Sequence, residues 1–243
     1  MMSYLFNNNP SIETFNSIKD WLKNEYLITK SGFYCNIETI EKAFYDKELI
    51  SFEINNKSIG FVIFTDNENF CLKIDIIEIH PEYRNKGIGK LFYDEIESYF
   101  TNKNFKVIEL YCSPSESELF WIKMNFIKYP ESKYKHELTY YKPLIKSDCI
   151  IENSEIINKI EVWDIEEYQI KDQKPKWIWD LNKFEQILIP CNIKWRICLT
   201  INNKLIKDSS IKYFEKDENR IYFNSYLFIQ QKSIQLHTSK QVK

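Results

Sequence analysis

Two of the chain's four glycines fall within Arg84-Asn85-Lys86-Gly87-Ile88-Gly89-Lys90, a concentration that asks for a backbone reason. Average usage would be about 7% glycine. The segment follows an apolar run, Cys71 to Ile79, and opens an amphipathic helix with apolar residues at Ile88, Leu91, Phe92, Ile96, Tyr99 and Phe100. Strand, glycine turn and helix together make an anion site. Without Cβ atoms at Gly87 and Gly89 the backbone N–H groups can approach a phosphate closely, and the helix N-terminus adds partial positive charge. A second chemical signal is Asp75, an acid set in the apolar stretch Ile74-Asp75-Ile76-Ile77. A carboxylate there is expensive unless it has a partner or a task, and burial would raise its pKa toward the range of a general base.

Two glycine motifs are excluded by single residues. A dinucleotide fingerprint needs a third glycine where this chain has Phe92, and a phosphate-binding P-loop needs Ser or Thr where Leu91 follows Lys90. The longer stretch Ile79-His80-Pro81-Glu82-Tyr83-Arg84-Asn85-Lys86-Gly87-Ile88-Gly89 resembles the acyl-CoA pyrophosphate motif R/Q-x-x-G-x-G/A of the GNAT superfamily of N-acyltransferases. The resemblance covers about residues 1–145. It implies an α/β fold with a mixed sheet, acetyl-CoA or another acyl-CoA as co-substrate, and direct attack of a primary amine on the acyl carbonyl.

The resemblance also assigns roles. Arg84, Asn85, Lys86, Gly87, Ile88, Gly89 and Lys90 would take the pyrophosphate. Backbone groups of Ile77, Glu78 and Ile79 would bond the pantetheine arm as an added strand. Asp75 matches the carboxylate base of polyamine-type relatives, and Glu109 matches the glutamate of relatives that acetylate protein N-termini. Strand parity then expects Lys73, Asp75, Ile77 and Ile79 on one face and Glu78 on the other. After the second strand the pattern departs from the family: Pro114 stands for Asn, Ser117 for Ala, and Trp121 for the tyrosine that often protonates the leaving thiolate. An indole N–H can donate to a thiolate but cannot serve as its acid. Protonation is left to water, Ser117 or Tyr111, and a sensor that binds acyl-CoA without turnover is the alternative to an enzyme.

The elements that must position these residues are legible around the loop. Helices are expected at about Pro10 to Leu27, Ile37 to Lys47 and Pro114 to Asn125. Strands are expected near Tyr4 to Phe6, Leu49 to Ile54, Ser58 to Thr65, Val107 to Cys112, Phe126 to Tyr129 and Glu137 to Lys142. Ser113-Pro114-Ser115-Glu116 reads as a capping box with proline in the first turn, and Asn55-Asn56-Lys57 with Gly60 reads as a hairpin.

Composition narrows the rest. With 243 residues, 44% hydrophobic, and a net charge of −2, the chain has core for one or two domains and no long basic run that would imply nucleic acid. Its six cysteines form no C-x-x-C pair, which argues against zinc and against a disulfide framework. No leader or membrane-spanning run is expected, so the cytoplasm is the default, and a homodimer is left open. Residues 150–243 are expected to form a smaller β-rich domain after a polar junction at Lys146 to Asn158, with alternation at Ile193, Trp195, Ile197, Leu199 and Ile201 and an aromatic-rich run at Ile221 to Ile229. Trp163, Trp177, Trp179 and Trp195 are expected to pack in its core or at an interface. The last dozen residues read as a frayed tail. The acceptor would be met by the first two helices, the Glu131 to Lys135 loop and the second domain.

Overall fold

The computed structural model describes residues 4–55, 57–67, 70–130, 135–146, 156–166, 168, 173–183, 185–214, 222–223 and 225–230. It divides into two compact units, Met1–Leu144 and Ile145–Lys243.

The first unit runs β1 (Tyr4–Asn7), α1 (Ile12–Thr29), α2 (Ile37–Tyr45), β2 (Leu49–Ile54), β3 (Lys57–Asn67), β4 (Cys71–Ile79), α3 (Ile88–Asn102), β5 (Val107–Tyr111), α4 (Glu118–Lys123), β6 (Ile127–Lys128) and β7 (Thr139–Pro143). Its sheet has the order β1-β2-β3-β4-β5-β7-β6. Neighbours are antiparallel except β4 and β5, which are parallel. Helices cover both faces because both faces of the central strands are apolar. On one face α1 and α2 bury Phe15, Ile18, Trp21, Leu22, Ile40 and Ala43 against Phe61, Ile63 and Ile76. On the other, α3 and α4 bury Phe92, Tyr93, Ile96, Phe100 and Trp121 against Val62, Leu72, Ile74, Ile108 and Leu110. Leu91, expected inside, is exposed, and Tyr93 is buried beside the stripe 88, 92, 96, 100.

Helix starts follow local chemistry, with one correction. Ser11 caps α1, its hydroxyl accepting the Thr14 N–H at 3.2 Å, so Pro10 precedes the helix rather than opening it. The capping box expected at Ser113 to Glu116 does not form. Pro114 itself occupies the cap of a short 3-10 turn at Ser115–Ser117, and α4 begins only at Glu118; neither start has a side-chain cap. Proline has no side-chain acceptor to offer the orphan N–H groups, and its carbonyl accepts the Ser117 N–H at 3.0 Å.

Gly60 does more than follow a hairpin. It faces Ile79 across β3 and β4, where an added Cβ would lie 2.7 Å from Ile79 Cδ1 and 3.0 Å from the Glu78 carbonyl oxygen. The backbone oxygen cannot swing away as a side chain can, so Gly60→Ala is expected to destabilise the unit by about 1–3 kcal/mol. Thermal melting checks this, and an unchanged Tm would contradict the close approach.

The second unit has two antiparallel sheets. One has order β12-β11-β8-β9, from β8 (Lys159–Glu166), β9 (Trp177–Asp180), β11 (Trp195–Ile201) and β12 (Lys204–Ser210); the other has order β10-β14-β13, from β10 (Gln186–Pro190), β13 (Tyr222–Phe223) and β14 (Tyr226–Gln230). A single helical turn, α5 (Ile211–Phe214), follows β12. Ile197 and Leu199 alternate into the core with Ile160, Val162, Trp179, Ile187 and Leu227, while Trp177 and Trp195 stack on it with ring centroids 5.7 Å apart. Residues 147–155 of the expected junction and the expected tail lie outside the described residues.

Candidate active site

β4 carries one residue more than its partner. Ile63 pairs with Ile76 and Phe64 with Ile74, leaving Asp75 as a bulge. The bulge overturns the expected parity. Before it, Leu72 and Ile74 face α3 and α4, so Lys73 lies on the α1/α2 side; after it, Ile76 faces α1 and α2, while Ile77 and Ile79 pack on the α3/α4 side. Lys73, Asp75 and Glu78 thus share the α1/α2 side of the strand, and Ile77 and Ile79 lie opposite.

The same place marks the parting of β4 from β5. Their register runs from Cys71 and Val107 to Ile74 and Leu110 and stops there. β5 stays with β7 up to Tyr111 and Thr139, and the Cys112 N–H then donates to the Leu138 carbonyl at 2.9 Å. Beyond the bulge, Ile76 to Ile79 pair with β3 on one side and with no strand on the other among the described residues. The result is an open parallel edge inside a sheet, which can take an extended chain by strand addition.

The glycine loop stands at the end of that edge. After a 3-10 turn at Pro81–Tyr83, Asn85 (φ +60°) and Gly87 (φ +79°) adopt left-handed conformations, and Gly87 caps α3. The first intrahelical bond is donated by the Leu91 N–H to the Gly87 carbonyl at 3.1 Å, and among the described residues the N–H groups from Asn85 to Lys90 make no close, well-aligned bond ahead of it. N–H groups gathered in this way at a helix N-terminus have the geometry of a cradle that could take an anion. Gly87 needs to be glycine for its φ, but Gly89 is helical, and a Cβ there would meet Phe120 and Ile79 at an ordinary 3.7–3.8 Å. Neither backbone strain nor packing accounts for Gly89.

The charged side chains of the loop turn to neighbours. Lys86 Nζ donates to the Glu82 carbonyl at 2.7 Å, and Lys90 pairs with Asp94 at 2.6 Å. The Arg84 guanidinium points inward: Nε donates to the Ile79 carbonyl at 2.7 Å, one terminal nitrogen to Glu78 at 2.6 Å and the other to Glu25 of α1 at 2.7 Å. Arg84 therefore ties the loop to the end of β4 and to α1. Burial pushes the Glu78 carboxyl up to about 7 against the opposing pull of Arg84, and the nearby Glu25 charge adds to the rise. Glu25 has one carboxylate oxygen buried without a hydrogen-bond partner. Its sequence signal was an acid three and four residues beyond Leu22 and Trp21, on the buried stripe of α1. Beside this group, His80 packs on Trp21 with ring centroids 5.3 Å apart, and burial lowers its pKa.

The other expected residues are placed differently. Asp75 is exposed, bonded to the Thr65 hydroxyl at 2.6 Å and to Lys73 at 2.8 Å. Glu109 is buried on the same side of the sheet, level with Lys73, and Lys135 bonds both its oxygens at 2.7 and 2.8 Å. Trp121 belongs to the core, edge-on to Tyr93 and Phe126. Tyr111 is exposed against His136. Sequence reading missed Tyr140, which is buried on β7 beside Leu110 and donates to the Glu118 carboxylate; burial first, then that bond, pushes its phenol up to about 12.

Residues 15–119 match the family model described as Acetyltransferase (GNAT) family. The N-terminal unit carries a GNAT domain. A curated relative, described as uncharacterized N-acetyltransferase ycf52 from Pyropia yezoensis, is 28% identical over 79 residues, which are 32% of this chain and 45% of the relative. The match thus spans less than half of that protein's length. Among solved structures, the GNAT domain is similar to PaiA N-acetyltransferase from Thermoplasma acidophilum in complex with coenzyme A, at 21% identity and a TM-score of 0.44, covering 58% of this chain and 99% of that one. It is also similar to Tetrahymena GCN5, at 13% identity and a TM-score of 0.45, covering 60% and 96%. No helix among the described residues is long and apolar enough to cross a membrane.

Proposed function

We infer that the GNAT domain binds an acyl-CoA, with acetyl-CoA the first choice, and transfers the acyl group to a primary amine. The observation that carries this reading is the meeting of two features: an edge of β4 from Ile76 to Ile79 that is open among the described residues, and a run of N–H groups from Asn85 to Lys90 with no close bond there. An acyl-CoA has a diphosphate for the cradle and an amide-bearing arm able to bond Ile77 and Ile79 through their backbones, whereas the Glu78 carbonyl, expected to join them, points at Gly60 of β3. The diphosphate is fixed by backbone dipoles rather than by lysine side chains, which are engaged elsewhere. This fits the absence of any need for a Cβ-free residue at Gly89 other than ligand approach.

Chemistry on such a substrate needs little more than position and a proton acceptor. An amine held against the thioester carbonyl reacts as an intramolecular nucleophile would, and backbone donors on the open edge can polarise the carbonyl oxygen. Trp121, in the core, contributes shape and no proton. The thiolate of CoA is a tolerable leaving group near neutral pH.

Two measurements test the reading. Calorimetry with acetyl-CoA is expected to give saturable one-site binding that weakens with added inorganic pyrophosphate. A thiol-reactive dye is then expected to report CoA release that depends on an added primary amine. Saturable binding with no thiol release across small amines and peptides would make the domain an acyl-CoA sensor instead, and no binding would end the assignment.

A further inference from the structure

We propose that Glu78, seated between Arg84 and the open edge of β4, is the group that accepts the proton of the acceptor ammonium, and that Glu25 sets the pH at which it does so. The proposal rests on the acyl-CoA reading above and deepens it.

Three carboxylates lie on the α1/α2 side of the central strands, and the parting of β4 and β5 separates them. Glu109 stands level with Lys73, inside the stretch where the strands are still paired. Asp75 occupies the bulge where they part, exposed and neutralised by Lys73. Glu78 lies beyond the parting, between Ile77 and Ile79 on the length of strand whose outer edge is unpaired. An arm entering from the glycine loop passes Ile79, Glu78 and Ile77 in that order before it reaches the closed end. Asp75 stands where that path ends, paired with Lys73, and Glu78 stands along it, with its side chain on the side opposite Ile77 and Ile79.

The surroundings make it a base rather than a fixed counter-ion. Glu25 and Glu78 share one guanidinium, so the group of three carries one negative charge more than positive. Glu25 is the more buried of the pair and keeps one oxygen unbonded. His80 is the further titratable side chain packed near them, and burial favours its neutral form. Two like charges on either side of one cation favour taking up a proton, and Glu78 has one carboxylate oxygen left beyond that engaged by Arg84.

In the step, the ammonium gives one proton to the Glu78 carboxylate and its nitrogen lone pair forms a bond to the thioester carbonyl carbon. The carbon–sulfur bond breaks, and the second proton lost from nitrogen goes to the departing thiolate. Glu78 returns its proton to solvent. Amide, CoA thiol and one proton are the products, and nothing is oxidised or reduced.

The test compares kcat, KM and acetyl-CoA affinity of the full chain with those of Glu78→Gln, Glu25→Gln, Asp75→Asn and Glu109→Gln over pH 5.5–9, using the amine that gives the fastest thiol release. Wild type is expected to show a rate that rises through about pH 7. Glu78→Gln keeps the hydrogen bond to Arg84, so acetyl-CoA affinity is expected within about threefold of wild type while kcat falls about 100-fold and the rise near neutrality disappears. Glu25→Gln is expected to keep turnover and move the rise to lower pH by about half a unit or more, because it removes a like charge from Glu78; a merely structural Glu25 would not move the profile. The assignment is overturned if Glu78→Gln retains rate and pH profile, if the loss falls on Glu109→Gln or Asp75→Asn instead, or if Glu78→Gln loses acetyl-CoA affinity with kcat intact. A wild-type chain that binds no acetyl-CoA overturns the acyl-CoA reading itself, whereas thiol release with an unaltered Glu78→Gln profile overturns the base alone.

Discussion

Gly89→Asp is expected to leave the fold as stable as wild type or slightly more stable, and to weaken acetyl-CoA binding by at least about 100-fold. The two halves of this result have separate causes. An added Cβ at position 89 meets Phe120 and Ile79 at ordinary contact distance, and the backbone there is helical. Replacing glycine in a helix recovers up to about 1 kcal/mol, and an acid in the first turn interacts well with the helix dipole, by about 0.3–1 kcal/mol. On the acyl-CoA reading proposed above, the same carboxylate stands where the diphosphate would approach the N–H groups of Asn85 to Lys90. Two like charges about 4 Å apart at a protein surface repel by about 4 kcal/mol before screening, and 100-fold in affinity is about 2.7 kcal/mol. Calorimetry and a thermal melt on one preparation decide the matter. Retained affinity would show that the diphosphate does not sit on this loop, and a large loss of Tm would show that Gly89 serves the fold.

Arg84→Met is expected to destabilise the N-terminal unit by about 3 kcal/mol at pH 8 and by clearly less at pH 5. Removing one partner of a buried ion pair costs about 3–5 kcal/mol. The lower end applies because over a third of the Arg84 side chain is exposed. The pH dependence follows from Glu78. Its folded pKa, about 7, stands above the ordinary glutamate value of about 4.3 in the unfolded chain. Between those values the folded state holds more protons than the unfolded state, so stability falls as pH rises through that window. Without Arg84, which pulls the Glu78 pKa down, the upper limit moves further up, so the variant goes on losing stability at a pH where wild type has stopped. Melting curves at pH 5, 6.5 and 8 test this. A loss of Tm that is the same at all three would mean that Arg84 acts by packing and not by charge.

The legible part of this protein was local. Glycines two apart after an apolar run, with helical periodicity beyond, identify a strand, an anion loop and a helix, because each depends on residues within a few positions of one another. Hence Cys71 to Ile79, the loop from Arg84 to Lys90 and the core stripe of α3 apart from Leu91 and Tyr93 were read in place, as were most strands of the first unit and the alternation of β11. Where these readings failed, the causes differed. At Ser113 to Glu116 a local competitor won, Pro114 taking the cap, whereas Gly60 reads as a turn residue until its distant partners, Ile79 and the Glu78 carbonyl, are seen against it.

Side-chain direction in β4 was decided by pairing. A strand's parity can be counted only if the register is unbroken, and the extra residue at Asp75 appears only when β3 is laid beside β4. That one residue puts Glu78 and Asp75 on the same side and Ile77 opposite, and it lies where β4 leaves β5. Arg84 shows the same limit. Its type and spacing predict a cation at a phosphate loop, whereas its bonds to Glu25, 59 residues earlier in the chain, and to Glu78 make it a half-buried tie. Sequence determined the cradle, because N–H groups and glycines are local to the backbone; only the tertiary structure decided which acids face the open edge, because burial and charge sharing arise from residues that folding alone brings together.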